Sequence, residues 1–242
     1  MSGHSKWSQI KRQKGAADQK RSGVFTKLSN AIVVAVREGG KNPDMNVRLR
    51  LAIDKAREAN MPNDNVERAI KRGAGELGGA MIESVTYEGF GPAGSTLIIE
   101  ALTDNKNRAA SEIRSTLAKH GGRLGTPNTV RWQFETRGYF EILGSENIGR
   151  SPEDIELALI EAGTDDIEPT DLGFEAFVNH HNFTTVRDAI TSSGIKLSTA
   201  EIRPIPTTPV VLSEADQAKL LSLMGELDDL SDIDAIYTNA NV

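Results

Sequence analysis

From Val24 onward the apolar residues recur at helical spacing: Phe25, Leu28, Ile32 and Val36 fall three and four apart, and Gly39-Gly40 supplies a left-handed stop. A second helix is predicted after Pro43-Asp44, with Leu49, Ile53 and Ala56 as its inner stripe. A third opens at Asn63 or Asp64, the latter followed by Glu67 at capping-box spacing, runs through Val66, Ala69 and Ile70, and ends at Gly73. Residues 73–79 hold four glycines and read as a linker. Beyond it the period changes to two, with strands over 83–87 and 96–102. Asp104 or Asn105 then caps a helix carrying Ala109, Ile113 and Leu117, which stops at Gly121-Gly122, and 130–134 is a further strand candidate.

The next stretch repeats a unit. A strand over 139–143, a helix from Ser151-Pro152 to Gly163 and a strand near Ile167 are followed by a strand over 174–178, a helix over 182–194 and a strand over 197–202. Strand-helix-strand twice over is the ferredoxin-like plan. After Pro204 and Pro206 come a short strand over 210–212, a helix from Ser213 with Leu220 or Leu221, Met224 and Leu227 inward, and a last strand over 233–238. A lone strand leaves its backbone groups without partners, so this one is expected to rejoin the sheet begun at 80–134. The predicted fold class is α+β with three domains: a basic arm and three-helix domain (1–79) and two ferredoxin-like α/β domains, one discontinuous (80–134 plus 206–242) and the other inserted in it (135–205).

Charge changes this picture most at the N-terminus. The chain as a whole carries a net charge of −6, yet its first twenty-two residues hold six Lys/Arg and one acid, Asp18. Residues 1–75 hold sixteen Lys/Arg against seven Asp/Glu, and residues 76–242 hold twelve against twenty-seven. Such asymmetry points to a basic end for a polyanion and an acidic body that is not the binding surface. An arm of opposite sign does not serve the solubility of an acidic protein. Trp7 lies among the cations, where it can stack on a base, and positive charge continues onto the helices. The candidate nucleic-acid contacts are therefore His4, Lys6, Trp7, Lys11, Arg12, Lys14, Lys20, Arg21, Lys27, Arg48, Lys55, Arg68, Lys71 and Arg72. A second candidate, for an anion, is the helix start Asn105, Lys106, Asn107 and Arg108. Two cations in a first turn oppose the helix dipole, so helix stability does not explain them, and the exposed N–H groups there suit a phosphate.

Other chemistry is excluded or weak. With no cysteine there is no disulfide framework, thiolate zinc site, iron–sulfur cluster or Cys nucleophile. Gly89 to Gly94 formally match GxGxxG, but a strand rather than a helix follows, so a hairpin loop is the reading. His4, His120, His180 and His181 contain no i,i+4 pair, and adjacent His180 and His181 in an extended segment would point to opposite sides, so no metal is expected. Asp228, Asp229, Asp232 and Asp234 lack the glycine and closing glutamate of a calcium loop and read as a solvated turn, with a weak divalent-cation site left open. No nucleophile elbow, phosphate loop or triad is present, and no enzyme activity or cofactor is expected. The longest apolar run, 31–36, is far short of the roughly twenty residues of a membrane span, and the N-terminus has no apolar signal core, so no membrane partner and a cytoplasmic location are expected.

Four motifs together, GHSKW at 3–7, YEGFGPAG at 87–94, TDNKNR at 103–108 and DIDAIYTN at 232–239, resemble the YebC family over nearly the whole length. The resemblance implies a helical N-terminal domain plus two α/β domains. It also implies a role in gene expression, since family members are described as probable transcriptional regulators and mitochondrial relatives as translational activators of a cytochrome oxidase subunit. It implies a second glycine after Pro92, where this chain has Ala93. The expected function is a non-enzymatic nucleic-acid-binding regulator with a lean to ribosome or RNA binding, because no strong helix-turn-helix signal is present; the alternatives are promoter-DNA binding and a protein-binding adaptor. The expected partners are ribosomal RNA or promoter DNA and the ribosome, with the chain itself a monomer.

Overall fold

The computed structural model describes residues 21–241, the side chains of the first two excepted. Three helices come first: α1 (Arg21–Gly39), α2 (Val47–Glu58) and α3 (Asn63–Gly73). α1 contributes an unbroken buried run from Ile32 to Val36, on which Leu49, Ala52, Ile53 and Ala56 of α2 and Val66 and Ala69 of α3 pack, joined by Met61. α2 starts at Val47, because the buried side chain of Asn46 accepts the Leu49 N–H at 3.0 Å while its amide donates to the Ala35 carbonyl at 2.7 Å. One residue thus caps α2 and ties it to α1. Gly73 does more than end α3. A Cβ there would lie 2.7 Å from the Val33 carbonyl oxygen and 2.8 Å from Val36 Cβ, so the helices approach through the missing side chain.

The strands β1 (Glu83–Phe90) and β2 (Thr96–Thr103) form an antiparallel hairpin with Glu83 opposite Thr103 and Phe90 opposite Thr96. α4 (Lys106–Lys119) follows, then a two-residue strand β3 (Arg123–Leu124). Late in the chain α7 (Glu214–Asp228) precedes β9 (Ile233–Thr238), and the sheet order is β3-β1-β2-β9. The last long strand therefore lies beside β2. Leu117 of α4 packs against Gly89, and Leu102 of β2 and Ile82 join the helical core.

The second sheet is built from β4 (Phe134–Leu143), β5 (Asp166–Thr170), β6 (Gly173–Asn179) and β7 (Thr199–Pro206) in the order β5-β6-β4-β7, with α5 (Pro152–Glu161) after β4 and α6 (Phe183–Ser192) after β6. Phe140, Ile142, Phe174, Ala176 and Val178 face Ile155, Leu159, Phe183, Val186 and Ile190 of the two helices. This is the ferredoxin-like plan. In the first sheet, by contrast, the two central strands are consecutive in the chain and joined by the β1–β2 hairpin. A short parallel pair, β8 (Val210–Val211) with β10 (Ala240–Asn241), completes the described chain. By compactness the described chain divides into residues 21–131 with 213–237, and residues 132–212 with 238–241.

Three local expectations are corrected. Residues 130–133 are not a strand: Val130 is buried with its N–H donated to the Glu88 carboxylate at 2.6 Å, and Arg131–Gln133 forms a 3-10 turn. Pro204 and Pro206 do not end the preceding strand but lie in β7, an edge position where a missing N–H is tolerated. His180 and His181 sit in a 3-10 turn with ring centroids 3.9 Å apart, because Asn179 accepts the His181 N–H and folds the backbone out of the extended form.

The hairpin between β1 and β2 closes through Gly91 N–H to the Ser95 carbonyl at 2.8 Å, with Ala93 at φ +53. A side chain in the left-handed region costs about 1–2 kcal/mol. Ala93→Gly removes that cost but adds unfolded-chain freedom, so a net gain of about 0.5–1 kcal/mol in urea unfolding is expected. A loss of stability would show that Ala93 is held by favourable contacts instead.

Candidate nucleic-acid interface

Of the candidate contacts, His4, Lys6, Trp7, Lys11, Arg12, Lys14 and Lys20 lie outside the described residues, and Arg21 is described only as the first residue of α1. The remaining cations fall on the three helices, and the fold gives several of them internal partners. Lys27 donates to the Asp228 carbonyl and pairs with its carboxylate at 3.5 Å, with Asp228 itself buried. That side chain ties α1 to the end of α7. Arg48 pairs with Glu38, and Arg72 donates to the Ala80 carbonyl at 3.0 Å. Lys55, Lys71 and Arg72 lie in the last turns of α2 and α3, where positive charge complements the helix dipole. Arg68 and Lys71 are exposed on α3, three residues apart, and have no side-chain partner among the described residues. They are the helical cations most available to a phosphate.

The start of α4 is a built arrangement. Thr103, buried at the end of β2, accepts the Asn105 N–H at 3.0 Å through its hydroxyl oxygen, and Asn105 accepts the Arg108 N–H at 3.0 Å as N-cap. Arg108 bridges Asp104 at 2.9 Å and the buried Asp232 at 2.7 Å, and the Thr103 hydroxyl donates to the same Asp232 oxygen at 2.7 Å. Lys106 meets Glu83 at 2.5 Å, and the Tyr87 hydroxyl donates to the Lys106 carbonyl at 2.9 Å. These bonds join β1, β2, α4 and the turn before β9, and Glu83, Thr103, Asp104, Asn105, Lys106 and Asn107 line an open groove of about 430 Å³ beside them.

The electrostatics correct the argument that these cations lack a structural use. Lys106 and Arg108 face three carboxylates, so an anion would have to displace acids already paired. Hydrogen bonding to Asp232 raises the Arg108 pKa further, and the bond from Lys106 holds the Glu83 carboxyl below its ordinary value. Burial raises the Tyr87 phenol. A group with a depressed folded pKa contributes stability above its unfolded pKa and loses it as pH falls through the folded one. Lys106→Ala is therefore expected to move the Glu83 titration, followed by carboxyl NMR shifts, up towards the ordinary carboxylate range. An unmoved midpoint would mean that the exposed pair does not persist in solution.

The acidic run near the C-terminus is likewise no solvated turn. Asp228 and Asp232 are buried and serve Lys27 and Arg108. Among the described residues no group of His, Cys, Asp or Glu is arranged to hold a metal ion, and no helix is long and apolar enough to cross a membrane.

The fold thus defines a mixed α/β protein in which a helical N-terminal region with exposed cations precedes two sheet-and-helix regions. Residues 5–76 match the family model described as the TACO1/YebC protein N-terminal domain, and residues 82–240 match the one described as the TACO1/YebC second and third domain. The chain belongs to the TACO1/YebC family. It is 46% identical over 242 residues to a protein of Desulfosudis oleivorans, covering 100% of this chain and 97% of that one. A protein of Caldanaerobacter subterraneus is 44% identical over 242 residues, covering 100% and 99%. Each is named a probable transcriptional regulatory protein. The crystal structure of a conserved hypothetical protein from Aquifex aeolicus superposes with a TM-score of 0.83 at 38% identity, covering 92% of this chain and 91% of that one.

Proposed function

We propose that this chain is a non-enzymatic regulator of gene expression in the cytoplasm that grips nucleic acid through its N-terminal region, phosphates first. The observation that carries the reading is the partition of charge, sixteen Lys/Arg against seven acids in residues 1–75 and the reverse excess beyond. The reading is further supported by the internal partners of Lys27, Arg48 and Arg72, which leave Arg68 and Lys71 as candidate contacts on the helices with no side-chain partner among the described residues. Relatives named as regulators support the regulatory half of the proposal.

RNA, with the ribosome as its carrier, is the favoured target. A DNA reading has one observation in its favour: α2 and α3 are joined by the four-residue turn 59–62 with Asn60 at φ +56, the length of a helix-turn-helix connection. A recognition helix meets base edges with its N-terminal residues, however, and there α3 exposes Asp64 and Glu67. Carboxylates at that end repel the backbone on either side of the groove. Co-sedimentation with ribosomes, compared with binding to duplex DNA of one promoter and to a random duplex, tests the choice. Retention on ribosomes with equal, weak binding to both duplexes is expected; preference for one duplex with no ribosome association would transfer the proposal to transcription.

A further inference from the structure

Helix α5 (Pro152–Glu161) buries Ile155 and Leu159 against the second sheet and turns a different set of side chains outward. Leu157 and Ile160 are 55% and 58% exposed, and Glu153, Glu156 and Glu161 are exposed beside them. Glu153 and Leu157, Glu156 and Ile160, and Leu157 and Glu161 are each four apart, so the five side chains share one face. None of the three glutamates has a cationic partner among the described residues, so their charge is left uncompensated beside the two aliphatics.

The helix itself has no need of this face. Its start is secured by the Ser151–Asp154 capping box. Glu161 lies in the last turn, where a negative charge opposes the dipole and no basic residue offsets it. Two adjacent aliphatics left in water and three unpaired carboxylates around them are individually ordinary; together, on one face of a ten-residue helix, they are complementary to a segment with the opposite pattern.

We propose that the outer face of α5 is a docking site for a basic protein segment carrying apolar side chains, of the kind found in proteins that themselves lie on nucleic acid. The inference rests on the regulatory reading above: carboxylates repel phosphate, so this face is unsuited to nucleic acid itself and suited to the lysine-rich and arginine-rich proteins that accompany it. The two aliphatics supply the contact and the glutamates supply its selectivity.

The test uses the full chain and a fluorescent eleven-residue lysine–leucine peptide, with a lysine–serine peptide of equal charge as control. The lysine–leucine peptide is expected to bind with a salt-dependent Kd of tens of micromolar, at least about five-fold tighter than the control. The double variant Leu157→Ser/Ile160→Ser and, separately, Glu153→Gln/Glu156→Gln/Glu161→Gln are each expected to weaken it by about five-fold or more while RNA affinity stays within about two-fold of the parent. RNA affinity thereby reports on the N-terminal grip independently of the peptide. Peptide affinity unchanged in both variants overturns the proposal. Two other results also overturn it: concentration-dependent self-association abolished by the double variant assigns the face to a second copy, and a comparable gain in peptide affinity on removing residues 1–20 assigns it to the chain's own arm.

Discussion

Glu88→Ala is expected to lower the stability of the protein by about 3–5 kcal/mol in urea unfolding. Glu88 is only 6% exposed on β1, and its carboxylate accepts three backbone N–H groups, from Asn128 at 2.6 Å, Val130 at 2.6 Å and Arg131 at 3.1 Å. Its own carbonyl accepts the Gly125 N–H at 2.7 Å. A segment too irregular to pair with a strand thus finds its acceptors in one side chain. Truncation leaves three donors without that acceptor, and a hydrogen bond to a charged group contributes about 1.5–3 kcal/mol. Glu88→Gln keeps the shape and one acceptor oxygen but turns an NH2 toward the amides, so an intermediate loss of about 1.5–3 kcal/mol is expected. Glu153→Ala, on the exposed face of α5, is the control and should stay within about 0.5 kcal/mol. A loss below about 1 kcal/mol for Glu88→Ala would mean that the loop finds other acceptors. Hydrogen exchange of the Val130 amide would then remain slow.

Replacing Lys11, Arg12, Lys14, Lys20 and Arg21 together with alanine is expected to lower affinity for single-stranded RNA by about 10²–10³-fold at physiological salt. The magnitude follows from counterion release: each lost phosphate contact on a single strand removes about 0.7 from the slope of log Kobs against log salt, and five remove about 3.5. If the five serve phosphate contact alone, melting temperature is unchanged by the replacement. Alanine replacement of Arg68 and Lys71 alone should cost about ten-fold, since only two contacts are lost. Lys27→Ala behaves differently, lowering stability through Asp228 and leaving RNA affinity unaltered. If Lys27→Ala weakened RNA binding while the five-fold arm variant did not, the grip would lie on the helices and the arm would be incidental.

Much of the fold was legible in the chain's periodicity. The three helices, the change to period two after residue 79 and the strand-helix-strand repeat leading to β5-β6-β4-β7 all follow from short-range patterns, since stripes such as Ile155 and Leu159 or Val186 and Ile190 are set by local spacing. The need to pair an isolated strand was enough to send residues 233–238 back to the first sheet. What periodicity does not carry is the identity of long-range polar partners. Glu88 is a polar residue at an alternating position, and nothing nearby in sequence shows that it will collect amides forty residues away. The same blindness hid the partner of Lys27, Asp228, 201 residues distant, and left Arg108 without an evident use until Asp232, 124 residues on, came beside it. A run of aspartates before a strand reads as a solvated turn because local composition cannot distinguish water from a buried guanidinium. The one cue available was coincidence: the two unexplained cations after Thr103 and the unexplained acids before Ile233 flank strands that the pairing argument already placed in one sheet.

The corrections sharpen the division of labour along the chain. Among the described residues Lys27, Arg48 and Arg72 have internal partners, and Arg68 and Lys71 on α3 have none. On the proposal made above, the polyanion is held chiefly through the N-terminal cations, and the acidic sheet regions are left to contact other proteins.

The most direct measurement of that account is the salt dependence of binding to a single-stranded RNA, taken for the parent chain and for the five-residue arm variant. The parent is expected to give a steep negative slope of log Kobs against log salt, and the variant a slope shallower by about 3–4. Equal slopes for the two proteins, or a parent slope near zero, would contradict the claim that the N-terminal cations grip nucleic acid by its phosphates.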